Sequence, residues 1–251
     1  MTKAYPLKQT LKQLHLNQIA AQYEQTAKIA AREALSHVDY LQQLIEAEAA
    51  ARYERSVLRR TRAARLPVVK TLAQFDWDWP RKINRPAVTD LFRLCFVEHN
   101  ANAVFIGGVG LGKTHLAIAL AHAACLNNIP TLFTSAVEIV NNLAAAQASR
   151  TLHKAIKLYL KPRLLVIDEL GFVPMDKDAA DLFFQVVSAR YERSATLITT
   201  NIAYPKWPTI FDNNATIASA ILDRLLHHCE TITIEGHSYR MQNTAKSVGN
   251  L

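Results

Sequence analysis

Leu7, Leu11 and Leu14, then Leu16, Ile19, Ala20 and Tyr23, recur at spacings of three and four, the period that returns side chains to one face of an α-helix. Residues 1–66 hold no glycine and one proline and are rich in Ala, Leu, Gln, Glu, Lys and Arg, all strong helix formers. A small all-α N-terminal domain is expected over 1–66. Ser36 with Asp39 three positions on, ahead of Leu41, Leu44 and Ile45, has the form of a capping box and marks a second helix start. Further along that helix Arg52, Arg55, Arg59 and Arg62 keep the same spacing, which lines one helical face with guanidinium groups.

The period breaks between Pro67 and Pro86, where Pro80 and the run Phe75-Asp76-Trp77-Asp78-Trp79 stand. Residues 67–86 are expected to be a linker. Alternation puts its aromatic rings on one side of an extended segment, so it should dock on the following domain, by packing in preference to stacking on an adenine or another base. A short helix is expected over 91–97. Beyond it, apolar runs at 103–106, 131–133, 164–167, 197–199 and 231–234 alternate with helical stretches. That alternation predicts an α/β domain over 87–251, with a parallel five-stranded sheet covered on both faces.

The composition fits this plan. Of 251 residues half are hydrophobic and a fifth charged, as in globular rather than disordered chains. No apolar run approaches the ~20 residues that span a bilayer, and the first residues lack the apolar core of a secretory signal, so a cytoplasmic protein is expected. Cys95, Cys125 and Cys229 form no CxxC pair and are read as buried thiols. The adjacent His227, His228 and Cys229 are not taken as a metal site, because neighbours on a helix point apart. The formal net charge is +8, and Arg52 to Lys70 carry seven basic residues against Glu54 alone. Arg52, Arg55, Arg59, Arg62 and Arg65 are therefore candidates for largely sequence-independent contact with a nucleic-acid backbone, with a solvated helix face as the plainer alternative.

Glycine carries the first chemical signal. The chain has seven, and Gly107, Gly108, Gly110 and Gly112 fall within six positions. With Lys113 and Thr114 they fit G-x-x-x-x-G-K-[ST], after an expected strand and before an expected helix. Such a loop wraps a polyphosphate in backbone N–H groups ahead of a helix N-terminus. Gly107, Gly108, Val109, Gly110, Leu111, Gly112, Lys113, Thr114 and His115 are thus assigned to ATP. Lys113 reaches the β and γ phosphates, and the Thr114 hydroxyl ligates Mg²⁺. The strand ending Val166-Ile167-Asp168-Glu169 supplies Asp168 to the metal. It is expected to lie parallel and adjacent to the loop strand, at the carboxyl edge where open α/β sheets bind ligands. Glu169 is what a hydrolase needs to orient or deprotonate water and a small-metabolite kinase does not. A third strand ends at Asn201, whose amide is expected beside Glu169, able to hold that water or sense the γ-phosphate.

In this order the elements resemble an AAA+ ATPase domain. Val104-Phe105-Ile106-Gly107, Gly112-Lys113-Thr114-His115-Leu116-Ala117, Ile167-Asp168-Glu169-Leu170-Gly171, Ile198-Thr199-Thr200-Asn201, Ile221-Leu222-Asp223-Arg224-Leu225 and Ser238-Tyr239-Arg240 resemble the IstB-like transposition helper proteins, relatives of the DnaC-type helicase loaders. Leu11-Lys12-Gln13-Leu14, Arg32-Glu33-Ala34-Leu35-Ser36 and Arg62-Ala63-Ala64-Arg65-Leu66-Pro67 extend the likeness over nearly the whole chain. The resemblance implies that Arg224, on a helix whose apolar side carries Ile217, Ile221, Leu225 and Cys229, is an arginine finger for a neighbouring subunit's ATP. It implies that Arg240 is a sensor 2 acting in cis, within a lid reduced by the short stretch after Ile234. Arg190 and Arg193 are read instead as complementing a helix C-terminus. The implied function is an ATP-hydrolysing homo-oligomer on duplex DNA that helps a transposase select its target. A helicase loader, a metabolite kinase and a non-hydrolysing DNA scaffold are the alternatives.

Overall fold

A computed structural model describes residues 6–239; Arg240 and the tail after it lie outside the described residues. The chain divides into two compact units, Met1–Arg59 and Arg60–Leu251.

The first unit is helical. α1 (Leu7–Gln13) and α2 (Asn17–Arg32) are separate helices, because the chain turns at His15 with φ 57°. That turn splits the leucine series, and Leu7 and Leu14 stay exposed while Ile19 and Ala20 are buried. α3 runs His37–Ala63. At its start the Ser36 hydroxyl accepts the Asp39 N–H at 3.1 Å and donates to the Asp39 carboxylate at 2.6 Å. From α3 the buried Glu48, 3% exposed, reaches the first turn of α2 and accepts the Gln18 and Ile19 N–H groups at 2.6 and 3.2 Å. It meets two of the donors a helix start leaves orphaned. Burial raises the Glu48 pKa, but hydrogen bonds from Arg52 and from the Ile19 and Gln18 amides outweigh it and hold the carboxyl below its ordinary value.

The second unit is α/β. Its strands are β1 (Lys82–Ile83), β2 (Asn102–Gly107), β3 (Thr131–Ser135), β4 (Leu164–Leu170), β5 (Ala195–Thr200) and β6 (Cys229–Glu235), in the order β1-β6-β2-β5-β4-β3. The sheet is thus mixed and six-stranded, not parallel and five-stranded. The extra strand comes from within 67–86 and pairs antiparallel with β6 through Lys82 with Glu235 and Ile83 with Ile234. A two-residue strand is too short to show a period. At the other rim the Phe133 N–H of β3 donates to the Ala64 carbonyl at 2.8 Å.

A second correction concerns neighbours. β4, which ends in the two acids, is not beside β2. β5 lies between them, with Leu197 opposite Ala103 on one side and Val166 on the other. Every residue of β5 is buried, as a strand flanked and covered on both faces requires.

Helices cover both faces. α4 (Arg85–Leu91), α5 (Cys95–Glu98) and α6 (Lys113–Leu126) pack on one side around Val88, Leu116, Leu120 and Phe105. α7 (Ala136–Ala148), α8 (Leu152–Leu160), α9 (Lys177–Arg190) and α10 (Ala215–Leu226) pack on the other around Ile139, Phe183, Trp207 and Ile221. Cys229 opens β6 rather than extending the apolar side of α10. Of the three thiols, Cys125 is buried, Cys229 half-buried and Cys95 exposed, because α5 turns Val97 inward instead.

Arg190 closes the last turn of α9, but it does more than complement the helix end. It is 2% exposed and donates to the carbonyls of Tyr159 (2.6 Å), Pro162 (3.0 Å) and Ala195 (2.5 Å) and to the Thr196 hydroxyl (3.1 Å), tying α8, α9 and β5 together. Burial pulls its pKa down to about 9, which leaves it charged at neutral pH. Among the described residues, no helix is long and apolar enough to cross a membrane.

Candidate nucleotide site

β2 ends at Gly107, and α6 begins at Lys113, so the six residues from Gly107 to Gly112 turn the chain from strand to helix. Gly112 is the N-cap of α6 at φ 88°, a left-handed conformation open to glycine and costly for a residue with a Cβ. A Cβ there would also run into the Phe75 ring. The missing side chain thus leaves room for the Phe75 ring to pack against the loop, and the first turn of α6 leaves N–H groups without intrahelical partners.

Lys113 Nζ donates to the Gly107 and Gly108 carbonyls, each at 2.7 Å, which holds the ammonium over the loop. One position on, Thr114 Oγ1 donates to Asp168 Oδ1 at 3.1 Å. This contact bridges the loop helix and β4 across the intervening β5. A hydroxyl and a carboxylate, both hard oxygen ligands, are the donor set Mg²⁺ takes beside phosphate oxygens and water, so the residues fit a magnesium nucleotide. Asp168 is 7% exposed, whereas Glu169 faces solvent. Glu169 stands at φ 60°, where the register between β4 and β5 shifts after Ile167. Backbone strain of this kind concentrates at functional sites. Asn201 follows Thr200, which pairs with Leu170, so the amide leaves the sheet one residue past that pair, and it is exposed.

The linker borders this site. A cavity of about 450 Å³ is lined by Phe75, Asp76, Trp79 and Pro80, by the loop from Gly110 to His115, and by Lys70 and Tyr239. Phe75 itself is packed, edge-on to Trp77 at 5.0 Å and His115 at 5.6 Å. Trp79 meets the Tyr239 ring edge-on at 5.1 Å and donates to the His237 carbonyl. Phe75 is buried in the core of the α/β unit with Trp77 packed against it, and Trp79 packs on Tyr239, so the segment docks on the following domain by packing, with Phe75 and Trp79 both lining the cavity. His115 Nε2 lies 3.1 Å from the Thr71 carbonyl, so its ring ties α6 to the linker.

The arginines disperse. Arg224 donates to the Ala220 carbonyl at 2.9 Å and lies 5.0 Å over the Phe184 ring, half-buried at the C-terminal end of α10. Arg52 and Arg55 both pair with Glu48, at 3.0 and 3.2 Å, and Arg52 also donates to the His15 carbonyl. Arg59 donates to Ser56 Oγ at 3.5 Å. Arg65 lies 4.0 Å from Glu138, and Arg62 is exposed. So the arginine stripe is in part a structural ion cluster. Its partner Glu48 stands at four and seven residues' distance in sequence, a signal the helical period already contained.

Sequence reasoning passed over a second basic face. Lys154, Lys157 and Lys161 recur at three and four along α8 and its C-cap, all exposed, and no acid occurs from Ser149 to Ile167. None of the three forms an ion pair among the described residues. The pair His227 and His228 also differs from expectation. Their rings lie 4.1 Å apart and converge on Glu192, at 3.4 and 4.0 Å, because both follow the end of α10. That exposed cluster sits where β5 and β6 begin, at the edge of the sheet opposite the glycine loop.

A family model described as IstB-like ATP binding protein matches residues 9–247. The ATP-binding protein of insertion sequence IS21 from Pseudomonas aeruginosa is 35% identical over 243 residues, covering 97% of this chain and 91% of that one. The corresponding protein of insertion sequence IS5376 from Geobacillus stearothermophilus is 33% identical over 229 residues, or 91% of each. Among solved structures, DnaI superposes with a TM-score of 0.55 at 21% identity, over 67% of this chain and 89% of that one. The DnaC helicase loader gives 0.52 at 21%, over 70% and 99%. These last two are likenesses of fold.

Proposed function

The chain belongs to the IstB-like ATP-binding proteins, with an AAA+ fold, and from that premise we propose that it is an ATP-hydrolysing, self-assembling protein of an insertion sequence that binds duplex DNA and assists a transposase in choosing its target. The observation that carries the reading is the Thr114 to Asp168 bond, which joins the end of the glycine loop to the acidic strand end.

In this reading the backbone N–H groups of Gly108 to Thr114 cradle the phosphates, and Lys113 exchanges its loop carbonyls for phosphate oxygens. Thr114 and Asp168 hold Mg²⁺, which neutralises charge on the transferring phosphoryl group when bound. Glu169, exposed beyond the bulge, orients the attacking water and accepts its proton, with Asn201 from the neighbouring strand end holding that water. Arg224 leaves its own helix carbonyl to reach a neighbouring subunit's nucleotide. Its half-exposed position on α10 supports that role, and such a group is worth ~10³–10⁵ in rate. Arg59, Arg62 and Arg65, together with Lys154, Lys157 and Lys161, are the cations suited to DNA phosphates. Arg52 and Arg55 serve Glu48 first.

The test mixes two inactive variants. Glu169→Gln should bind ATP and hydrolyse almost none, and Arg224→Ala should do likewise. Mixed, they form junctions that pair an intact Glu169 with an intact Arg224, so ATPase activity returns. Failure of the mixture to exceed the sum of its parts refutes the trans arrangement. ATPase activity stimulated by single strands but not by duplex refutes the choice of DNA.

A further inference from the structure

Thr199 sits near the carboxyl end of β5 and is 1% exposed. Its hydroxyl donates to Asp168 Oδ1 at 2.5 Å and accepts the Glu169 N–H at 2.9 Å. One buried hydroxyl therefore uses its proton on the first acid and a lone pair on the peptide of the second. We infer that Thr199 is a positioning residue that locks the two acids of β4 in a fixed relation, so that the carboxylate facing Thr114 and the solvent-facing Glu169 are set by one group. The inference rests on the nucleotide reading above and adds a member to its machinery that touches neither nucleotide nor water.

The geometry gives the reason. Asp168 Oδ1 already accepts from Thr114 at 3.1 Å, and a carboxylate held by one hydroxyl alone is free to rotate about its last torsion. The second donor, coming from the opposite strand, removes that freedom. Glu169 presents a different problem, because its φ of 60° and the register shift take its N–H out of the regular ladder. A buried N–H without a partner is costly; Thr199 meets it with a side chain where the strand backbone does not. The same residue is two positions before Asn201, so β5 fixes both acids and presents the amide from one rigid element. Partners that orient a metal-binding carboxylate are commonly worth 10–100-fold in metal affinity or activity.

The experiment compares Thr199→Val, which keeps the shape and loses both hydrogen bonds, with Thr199→Ser, which keeps the hydroxyl. ATP affinity is measured by calorimetry with and without Mg²⁺, and kcat and KM by phosphate release. Thermal melting confirms that each variant is folded. Thr199→Val should keep its magnesium-free ATP affinity within about twofold, lose most of the gain in affinity that Mg²⁺ gives, and lower kcat ~10–100-fold with little change in KM. Thr199→Ser should restore both quantities. Wild-type values in Thr199→Val overturn the inference, and so does a Thr199→Ser that is no better than valine. A wild-type chain that binds ATP with Mg²⁺ and hydrolyses none defeats the hydrolase reading alone, since the lock is still read in the magnesium-dependent gain.

Discussion

Gly112→Ala tests whether the glycine loop is shaped by what packs on it as well as by what it binds. Alanine at φ 88° costs about 1–2 kcal/mol in left-handed backbone. Its methyl group would also enter the Phe75 ring, and Phe75 is 7% exposed between Trp77 and His115. Overpacking of that kind costs about 1–3 kcal/mol. The total, about 2–5 kcal/mol, corresponds to a fall of roughly 4–20 °C in melting temperature for a unit of this size. Gly108→Ala is the control: its Cβ would meet only Leu111 Cδ1 at 3.6 Å, and its φ is not positive, so its melting point should move little. A double-mutant cycle isolates the steric part. Phe75→Leu relieves the ring, so Gly112→Ala combined with Phe75→Leu should cost about 1–2 kcal/mol less than the sum of the single changes. Melting curves and urea titrations of nucleotide-free protein supply the numbers. Additive costs, or a Gly108→Ala as harmful as Gly112→Ala, would show that Phe75 does not limit the loop.

Glu48 has its folded pKa held below the ordinary value, so its contribution is complete above about pH 4.5 and drains away as pH falls through the folded value. Glu48→Gln should flatten that acid limb of stability, followed by circular dichroism, and cost about 1–3 kcal/mol at neutral pH, the exposed arginine ends reducing the value of the pairs. Changing Lys154, Lys157 and Lys161 together to Gln should weaken duplex binding and lower the slope of log affinity against log salt by about 2.7 if all three meet phosphates; an unchanged slope excludes α8 from the interface. Arg190→Met should destabilise by about 2–4 kcal/mol, because four acceptors lose a buried donor at once, while ATP affinity stays near wild type in the folded fraction. Lys113→Ala should reduce ATP affinity at least about 100-fold with melting unchanged, and equal affinity would remove the basis of the nucleotide reading.

What the chain shows at short range could be read from it. The spacing from Gly107 to Thr114 fixes a loop and a helix start by local rules alone, and five apolar runs mark five strands, each end within three residues of where it lies. Longer-range facts escaped for physical reasons. Nothing in Ala195–Thr200 announces that it lies between β2 and β4, since strand order depends on the whole set of crossovers; only its lack of any solvent-facing position hints at a central place. β1 is too short to carry a pattern. Thr199 stands within the legible run Ile198-Thr199-Thr200-Asn201, but its two hydrogen bonds depend on a bulge in another strand. Arg52 and Arg55 looked like a binding face because a stripe of like charges has the same period whether it faces solvent or encloses a buried acid.

The two rims of the sheet bear on how copies of this protein can meet. Strand β1 occupies part of the outer side of β6, and Ala64 takes an N–H of β3, so chain preceding the nucleotide loop guards each end of the ladder. A neighbouring copy is thereby discouraged from joining by backbone zippering, the route that leads to fibrils. Trimming the chain to begin at Asn84 would bare both flanks, and precipitation would be the expected result.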